Sequence, residues 1–450
     1  MSIRHFNQPA RRRLAVGVAS AVAAAGLVSL LAVGPVVAQT LPNPAGRAAG
    51  QGTANGTLSL AEALQAAQTN LDVSLAKRAL DAARSDVTSA DRAPTPTLSA
   101  KASSIDLQNG IGTGNLIRDK RIDKGVGLDW TLERGNKREL RTRAAQSLVS
   151  AAQADVDDIK IQQQVTVIAA YFDLLAAQER ITEVAAIARS AAQLTATAQR
   201  RVQAGDLPAL DAARTEIEAQ RADIDLAGAQ LDRSRAAVAL SLLTGIASSS
   251  ANAADLRVQA DWPGLQKVAD LAVLPSVEGR ADVRAALQRV DAARSALSSA
   301  AAQKTRDLTV GTSFDHYPGT STRQLEFRVQ LPLNGVFGSY NFEGEIARAQ
   351  AQLSQAEDAL EKTRRVASAD FQRLQQDRQG AAAKALSFDT AILPRARKAA
   401  ELAELAYSKG AMSLTELIDA RRTLRSILIE ALSARTDYAK AAQTWLIKQP

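Results

Sequence analysis

The chain has no cysteine and only two histidines, His5 and His316, in its 450 residues. Without cysteine it cannot form thiolate zinc sites, a cysteine nucleophile, disulfide bonds or an N-terminal lipid-modified cysteine. His316 precedes Tyr317-Pro318-Gly319, which is typical of a surface loop at the end of a strand. We therefore expect no metal site, no cofactor and no histidine-based catalytic centre.

Aromatic residues make up only 4% of the chain, which has 25 glycines and 13 prolines. This composition, dominated by Ala, Gln, Arg and Leu, favours long helices over a mixed α/β core. No glycine-rich loop ending in Lys-Ser/Thr occurs, so no nucleotide-binding motif is present. No nucleophile and base are arranged for catalysis, and the sequence does not predict an enzyme.

Long apolar runs are absent apart from one near the N-terminus. Arg11-Arg12-Arg13 precede an apolar stretch from Leu14 to Val37, and small residues reach Ala38. This pattern predicts a signal peptide over 1–38, with a retained membrane anchor as the alternative, and a flexible leader over 39–57. The four arginines of 1–38 account for half of the formal charge of +8. The remaining charges alternate in sign along helical stretches, which indicates solvated faces rather than a nucleic-acid surface.

The rest of the chain contains the same order of elements twice. A helix over Ser59–Asp91 is followed by strand patterns, a stretch over Asn136–Gln203 without glycine or proline, and a return helix over 208–243. A second long stretch, Ser339–Lys409, and a return helix over 413–447 repeat the pattern. Gly205 and Gly410 end the long stretches as helix C-caps. We predict a first repeat over 58–245, a linker over 246–278 and a second repeat over 279–450.

Helices of this length cannot bury themselves within one globule, so they must pack side by side as coiled coils. A kink is expected at Pro394. Four short segments between the helices alternate apolar with polar residues, as strands do. They lie near Leu98–Ala102, Val126–Glu133, Leu308–Phe314 and Leu325–Leu331. The alternation fits either a half-buried sheet or the staves of a membrane barrel. The export signal and the repeat favour the barrel.

Several segments resemble the TolC-like outer-membrane efflux family over nearly all of residues 58–447. The similar segments are Leu58-Ser59-Leu60-Ala61-Glu62-Ala63-Leu64, Ala93-Pro94-Thr95-Pro96-Thr97-Leu98-Ser99, Tyr171-Phe172-Asp173-Leu174-Leu175-Ala176-Ala177-Gln178, and Tyr407-Ser408-Lys409-Gly410 with Glu416-Leu417-Ile418-Asp419-Ala420. Leu71 and Ala281 depart from the pattern, because many members have proline there.

The resemblance implies a mainly α fold with a small β part. Tandem-duplicated coiled-coil helices would form a periplasmic α-barrel, and four strands per chain would join a trimeric, 12-stranded transmembrane β-barrel. The implied protein is a homotrimer in the cell outer membrane that extends into the periplasm. It would be the passive exit duct of a tripartite efflux system, with a periplasmic adaptor and an inner-membrane pump as partners and no nucleic acid.

The resemblance also assigns roles to residues near Gly205 and Gly410. Glu416 and Asp419 would line the pore at its narrowest point and favour cations, although acids also suit a helix start. Asp211 and Tyr407 would latch neighbouring helix pairs in the closed state. The adaptor would contact two groups of residues: Gly205, Asp206, Leu207, and Gly410, Ala411, Met412, Ser413.

Other readings remain open at this level. An adaptor-like or structural periplasmic coiled coil would share the long helices without needing duplicated strand pairs, and a type I protein secretion duct would share the whole fold. The segments 133–138 and 343–349 resemble members that serve heavy-metal cation pumps. These segments lie at strand–helix joints and can mark ancestry rather than cargo. Because of this resemblance, metal cations are the first substrate hypothesis, followed by drugs and small toxicants.

Overall fold

The computed structural model describes residues 57–103, 122–245, 253–265, 275–317, 323–336 and 338–449. The expected signal peptide, and the expected leader except Thr57, lie outside the described residues. The helices are α1 Leu60–Ala67, α2 Leu71–Ala90, α3 Lys137–Gln203, α4 Ala209–Thr244, α5 Ala281–Ala302, α6 Glu343–Ser387, α7 Leu393–Ser408 and α8 Leu414–Lys448. The strands are β1 Thr57–Leu58, β2 Thr97–Ser103, β3 Asp123–Leu132, β4 Arg257–Val258, β5 Leu308–His316 and β6 Gln324–Gln330.

The prediction of one continuous helix over Ser59–Asp91 is wrong, because the chain breaks between α1 and α2. Ser59 and Glu62 form a capping box that begins α1. Asn70 begins α2, since its side-chain oxygen accepts the Asp72 N–H at 3.0 Å. Its side-chain nitrogen also donates to the Leu243 carbonyl at 2.9 Å, which ties the break to the end of α4.

The long helices follow the sequence prediction closely. α3 has 67 residues, so it is about 100 Å long at 1.5 Å per residue. The second long stretch is helical from Glu343 to Ser408, but Phe388–Ile392 form a π-helical turn just before Pro394. Proline has no N–H to donate to the preceding turn, and a wider turn accommodates this loss. The kink expected at Pro394 therefore takes the form of a π-helical turn.

The four predicted strands form one antiparallel sheet in the order β2-β3-β5-β6. The register pairs Leu98 with Leu128, Trp130 with Val310, and Phe314 with Leu325. These residues share one face, which is exposed in the single chain, as Phe327 at 75% and Trp130 at 53% exemplify. The half-buried sheet of the sequence analysis is therefore not found, because no described element covers the apolar face.

The main core lies midway along α3. Tyr171 and Phe172 are fully buried, and Phe172 stacks on Trp262 with ring centroids 5.7 Å apart. The Tyr171 hydroxyl donates to the Gln259 carbonyl at 2.9 Å. Gln178 pairs with both the N–H and the carbonyl of Val258, at 2.9 and 3.0 Å, as a neighbouring strand would. The expected linker therefore packs into the core through β4, which pairs in parallel with β1.

A second anchor joins α5, α6 and the end of α8. The Asp370 carboxylate accepts hydrogen bonds from Arg373 at 2.8 Å, Lys448 at 2.9 Å and Arg280 at 3.1 Å. The Arg280 guanidinium also covers the ring of Phe371. These contacts fix the C-terminal end of the chain against the second repeat. No helix among the described residues is both long and apolar enough to cross a membrane.

Candidate functional site: the tips of the two helical hairpins

The two hairpins α3–α4 and α7–α8 turn in the same way. Gly205 and Gly410 have φ angles of +78° and +76°, a region that favours glycine. The Asp206 N–H donates to the Arg201 carbonyl at 2.9 Å, and the Ala411 N–H donates to the Ala406 carbonyl at 2.9 Å. This is the Schellman pattern, which confirms the prediction that both glycines cap helices.

The residues expected to contact an adaptor surround these turns. Gly205, Asp206, Gly410, Ala411 and Ser413 are exposed, whereas Leu207 and Met412 are half-buried. The two apolar side chains therefore lie partly against their own turns, while the exposed surface of each tip is mainly backbone and small or polar side chains.

Glu416 and Asp419 lie on the first turns of α8 with different environments. Ser413 and Glu416 form a capping box, in which the Glu416 carboxylate accepts the Ser413 hydroxyl at 2.8 Å and its N–H at 2.9 Å. The backbone bond, and then the hydroxyl, hold the pKa of Glu416 below its ordinary value. Asp419 is 65% exposed and lies 3.6 Å from Arg422. The Glu416 carboxylate is thus occupied in capping its own helix, whereas the Asp419 carboxylate has no capping role and faces solvent.

Asp211 and Tyr407 do not hydrogen-bond to each other within the described chain. Asp211 pairs with Arg214 at 3.4 Å, and Arg214 reaches the Thr415 hydroxyl on the other hairpin at 3.1 Å. The Arg201 guanidinium covers the Tyr407 ring, 5.7 Å from its centroid. Each expected latch residue therefore lies at a contact between the hairpins, but through an arginine of the α3–α4 hairpin.

The direct ionic links between the hairpins lie deeper than the tips. Arg422 of α8 forms a bidentate pair with Glu218 of α4, and Arg425 pairs with Asp225. The bond from Arg422, opposed by burial, holds the pKa of Glu218 below its ordinary value. The sequence analysis missed these residues. The sequence does contain a pattern that could have revealed them. α4 carries acids at every seventh position, namely Asp211, Glu218, Asp225 and Asp232.

A cavity of about 310 Å³ lies between the four helices at this level. Its apolar wall includes Ile187, Leu194, Ala222 and Leu428. Arg421 borders it and bonds Glu404 of α7 at 2.9 Å and the Ser190 carbonyl of α3 at 3.4 Å. The hairpins are therefore loosely packed here and held together by arginines of α8.

α4 carries two apolar seams on opposite faces. The first is buried against the chain's own helices and contains the small residues Thr215, Ala222 and Ala229. The second is exposed and contains large residues at every seventh position, namely Leu210, Ile217, Ile224, Leu231 and Val238. A strict seven-residue repeat is typical of a coiled-coil seam. We call these five residues the outer seam of α4.

The outer seam lies at one end of a row of helices. α4 packs on α3, α3 on α8, and α8 on α7. At the other end of the row, α7 exposes Leu402 and Leu405 by 53% and 56%. Both ends of the row thus have apolar surface for further helices.

The joint between β3 and α3 has a structural explanation. Glu133 binds Arg141 through two bonds of 2.6 and 3.1 Å, and the buried Lys137 bonds Asp307 at 2.8 Å. Gly135 has a φ of +76°, and a Cβ there would lie 2.8 Å from Thr305. The charges in this part of 133–138 therefore fasten the sheet to α3. No group of three or more potential metal ligands occurs among the described residues.

Comparisons with known proteins agree with this architecture. A family model described as outer membrane efflux protein matches residues 63–246. The cobalt-zinc-cadmium resistance protein CzcC of Cupriavidus metallidurans is 25% identical over 395 residues, which cover 87% of this chain and 90% of CzcC.

Two solved structures show the same fold. The outer membrane protein VceC of Vibrio cholerae superposes with a TM-score of 0.68 at 17% identity, over 86% of this chain and 95% of VceC. The CmeC outer membrane channel of Campylobacter jejuni also has a TM-score of 0.68 at 17% identity, over 86% of this chain and 85% of CmeC.

The long paired hairpins joined to a small antiparallel sheet are a fold that the chain shares with the outer membrane protein VceC and the CmeC outer membrane channel. The family match and the similarity to CzcC support the assignment of the chain as an outer membrane efflux protein. It lies in the outer membrane, extends into the periplasm and serves as an efflux channel, and such channels are transport conduits rather than enzymes.

Proposed function

We propose that this protein is the passive exit duct of a tripartite efflux system and performs no covalent chemistry. It works as a homotrimer, with a periplasmic adaptor and an energised inner-membrane pump. The outer seam of α4 carries this proposal, since it is a long coiled-coil surface that no other described residue of its own chain covers.

A second copy of the chain is the natural partner of this seam. The row α4-α3-α8-α7 ends in apolar surface on both sides, so the α4 end of one copy fits the α7 end of the next. Such a head-to-tail contact between unlike surfaces generates a closed ring when the rotation between successive copies closes, as a threefold rotation does for three copies. Three copies bring twelve helices into the ring and twelve strands into one sheet.

The sheet supports the same assembly. β2 and β6 are its two edges, and open edges pair readily with strands of another copy. The exposed apolar face suits lipid, while the opposite face carries Lys101, Asp129, Asp315 and Arg328 and suits water. A purely structural or adaptor-like coiled coil would have no use for this two-faced sheet.

The tips serve as both gate and docking surface in this proposal. Asp419, with the capping Glu416, lines the entrance and favours cations. The exposed residues around Gly205 and Gly410 contact the adaptor, with Leu207 and Met412 at the edge of that contact. Asp211 and Tyr407 act as latch residues together with Arg214 and Arg201. The Arg422–Glu218 and Arg425–Asp225 pairs hold the two hairpins together behind them.

Metal cations are the proposed cargo, with drugs as the second candidate and protein secretion by a type I system as the third. The similarity to a cobalt-zinc-cadmium resistance protein favours metals. The paired charges at 133–138 give no support for metals, because they already have structural partners.

The deciding experiment is growth of a deletion strain, with and without the gene on a plasmid, across divalent metals, dyes and antibiotics. Tolerance restored only to metals supports a cation pump as the partner. Tolerance restored to dyes and antibiotics assigns a multidrug pump instead. If no tolerance is restored although the protein reaches the outer membrane, the efflux proposal fails and secretion becomes the remaining candidate.

A further inference from the structure

Two salt bridges on the polar face of the sheet reach across an intervening strand. Lys101 of β2 lies 2.8 Å from Asp315 of β5, although β3 runs between these strands. The residue beneath this bridge is Gly125, which the register pairs with both Lys101 and Asp315.

The second bridge repeats this geometry from the other edge. Arg328 of β6 lies 2.6 Å from Asp129 of β3, across β5. Here the residue beneath is Gly311, which the register pairs with both Asp129 and Arg328.

Both glycines are needed for these bridges. A Cβ on Gly125 would lie 2.0 Å from the Asp315 carboxylate, and a Cβ on Gly311 would lie 2.1 Å from the Asp129 carboxylate. Each carboxylate therefore occupies the space that a side chain on the middle strand would fill. The Asp315 side chain is only 1% exposed, so the bridge also shields its charge from water.

We propose that these crossed salt bridges determine the charge selectivity of the outer part of the duct. The inference rests on the proposed function, because it requires the polar face to line the water-filled pore. Each bridge cancels one carboxylate of the pore wall with one cation, and a homotrimer has six such bridges. A pore wall bearing uncancelled charge of one sign attracts ions of the opposite sign, as charged rings do in other channels.

The bridges allow the charge of the wall to be changed in either direction at one place. Lys101→Met removes the cation and leaves Asp315 uncancelled, so the pore becomes more cation-selective. Asp315→Asn leaves Lys101 uncancelled, and selectivity shifts toward anions. The double variant Lys101→Met/Asp315→Asn restores the wild-type balance. Arg328→Met and Asp129→Asn form an equivalent pair.

The test is the reversal potential of conducting channels in planar bilayers under a potassium chloride gradient. Low salt is essential, because the Debye length is about 30 Å at 0.01 M. The permeability ratio of potassium to chloride is expected to change at least about twofold in each single variant, since a wall potential near one kT suffices for this. In the double variant the ratio returns to that of the wild type.

Lys124→Met is the matched control. Lys124 lies on the neighbouring strand β3, but the alternation of the strand places it on the apolar face. The Lys124→Met substitution removes a positive charge, as Lys101→Met does, but from the other side of the sheet. The permeability ratio is therefore expected to stay at the wild-type value. Gly125→Ala is a second control, because it disturbs the bridge without changing the charge of the wall. Its melting temperature is expected to fall, while its permeability ratio is expected to change less than that of Lys101→Met.

The inference and the proposed function fail in different ways. If the single variants conduct with the wild-type permeability ratio, the crossed bridges do not determine selectivity, although the duct itself stands. If Lys124→Met changes the ratio as much as Lys101→Met does, the apolar face lines the pore and the inference is wrong. If neither the purified wild-type trimer nor the Arg422→Ala and Asp211→Ala variants, whose tips should open more often, give any channels, the proposed duct function fails.

Discussion

Asp370 is the residue on which the second anchor depends. Burial acts to raise the pKa of its carboxyl, but the bonds from Arg373, Lys448 and Arg280 outweigh burial and hold the pKa below its ordinary range. A carboxyl with a lowered pKa stabilises the fold at pH values above about 3.9, its unfolded pKa. This stability is lost as the pH falls through the folded pKa.

We expect Asp370→Asn to lower the free energy of unfolding at pH 7 by about 2 kcal/mol, because it weakens hydrogen bonds to three cations. As the pH falls below about 3.9 the difference from wild type should shrink, since the unfolded chain then takes up the proton and the stabilisation by the lowered folded pKa is progressively lost. Thermal unfolding in detergent, followed from pH 7 to pH 2.5, measures both effects. Asp377→Asn is the control, as Asp377 is exposed and, among the described residues, pairs with Arg373 alone, at 3.5 Å. A pH-independent difference would contradict this role for the charge of Asp370.

In the proposed gate, Arg422 is the residue that we expect to hold the tip closed. Arg422→Ala removes the bidentate link to Glu218, so the hairpins should separate more easily and channel openings in planar bilayers should become more frequent. Arg221→Ala is the control, because Arg221 pairs with Glu218 on the same helix at 3.4 Å. Asp211→Ala should also raise the leak, through the loss of the Arg214 contact. An unchanged leak in both Arg422→Ala and Asp211→Ala would contradict the gate.

The pH dependence of this leak has a definite sign. The pKa of Glu218 is lowered, so its link to Arg422 persists in mildly acidic solution and is lost only as the pH falls through the folded pKa. The wild-type leak should therefore stay constant from pH 7 to pH 5 and rise below about pH 4, since the ordinary glutamate pKa is about 4.3. A rise already between pH 7 and pH 6 would indicate another titrating group.

At the scale of elements, the start of α2 lacks the proline that the family resemblance leads us to expect at Leu71. Leu71 is the first residue of α2, after the extended Asn70, and its side chain is 75% exposed. Proline is well suited to a first helical position, because no N–H is needed there and its φ is already correct. The same holds for Ala281 at the start of α5, but Ala281 is buried.

We expect Leu71→Pro to stabilise the protein by about 0.5 kcal/mol, mainly by restricting the unfolded chain. Leu75 lies one turn later and is also exposed, at 68%. Leu75→Pro should instead lower the free energy of unfolding by about 3 kcal/mol, because it breaks a helical hydrogen bond. The melting temperatures of the two variants in detergent decide the point. A lower melting temperature for Leu71→Pro would show that the Leu71 side chain contributes packing in the assembled protein.

The elements also show where sequence reasoning succeeds. The α3 boundary, the two glycine caps and the four strands were predictable, since periodicity, capping and alternation are local signals. The break at Asn70 was not, because Asn70 is held partly by the Leu243 carbonyl, far away in sequence. The packing of 257–262 into the core was equally hidden, as Val258 meets Gln178, and Trp262 meets Phe172, only in the folded chain.

At the scale of the whole molecule, the outer seam of α4 should decide assembly. Ile224→Asp places a charge in the middle of the seam, where a neighbouring copy would have to bury it. We expect this variant to be largely monomeric in detergent, as measured by light scattering or native mass spectrometry. Glu216→Asp changes an exposed side chain of α4 outside the seam and should leave the trimer intact. A trimeric Ile224→Asp protein would contradict the proposed ring contact.

The sequence alone determined the class of this protein. Its repeat, its two stretches of helix almost free of glycine and proline, its capping glycines and its alternating strands are local patterns that each element carries within itself. The tertiary structure alone decided which charges meet. Arg422 with Glu218, Lys101 with Asp315 and Arg328 with Asp129 are about 200 residues apart, and their pairing depends on how helices pack and strands register. Local periodicity contains no information on such distant contacts, which is why the hairpin links and the crossed salt bridges emerged only from the fold.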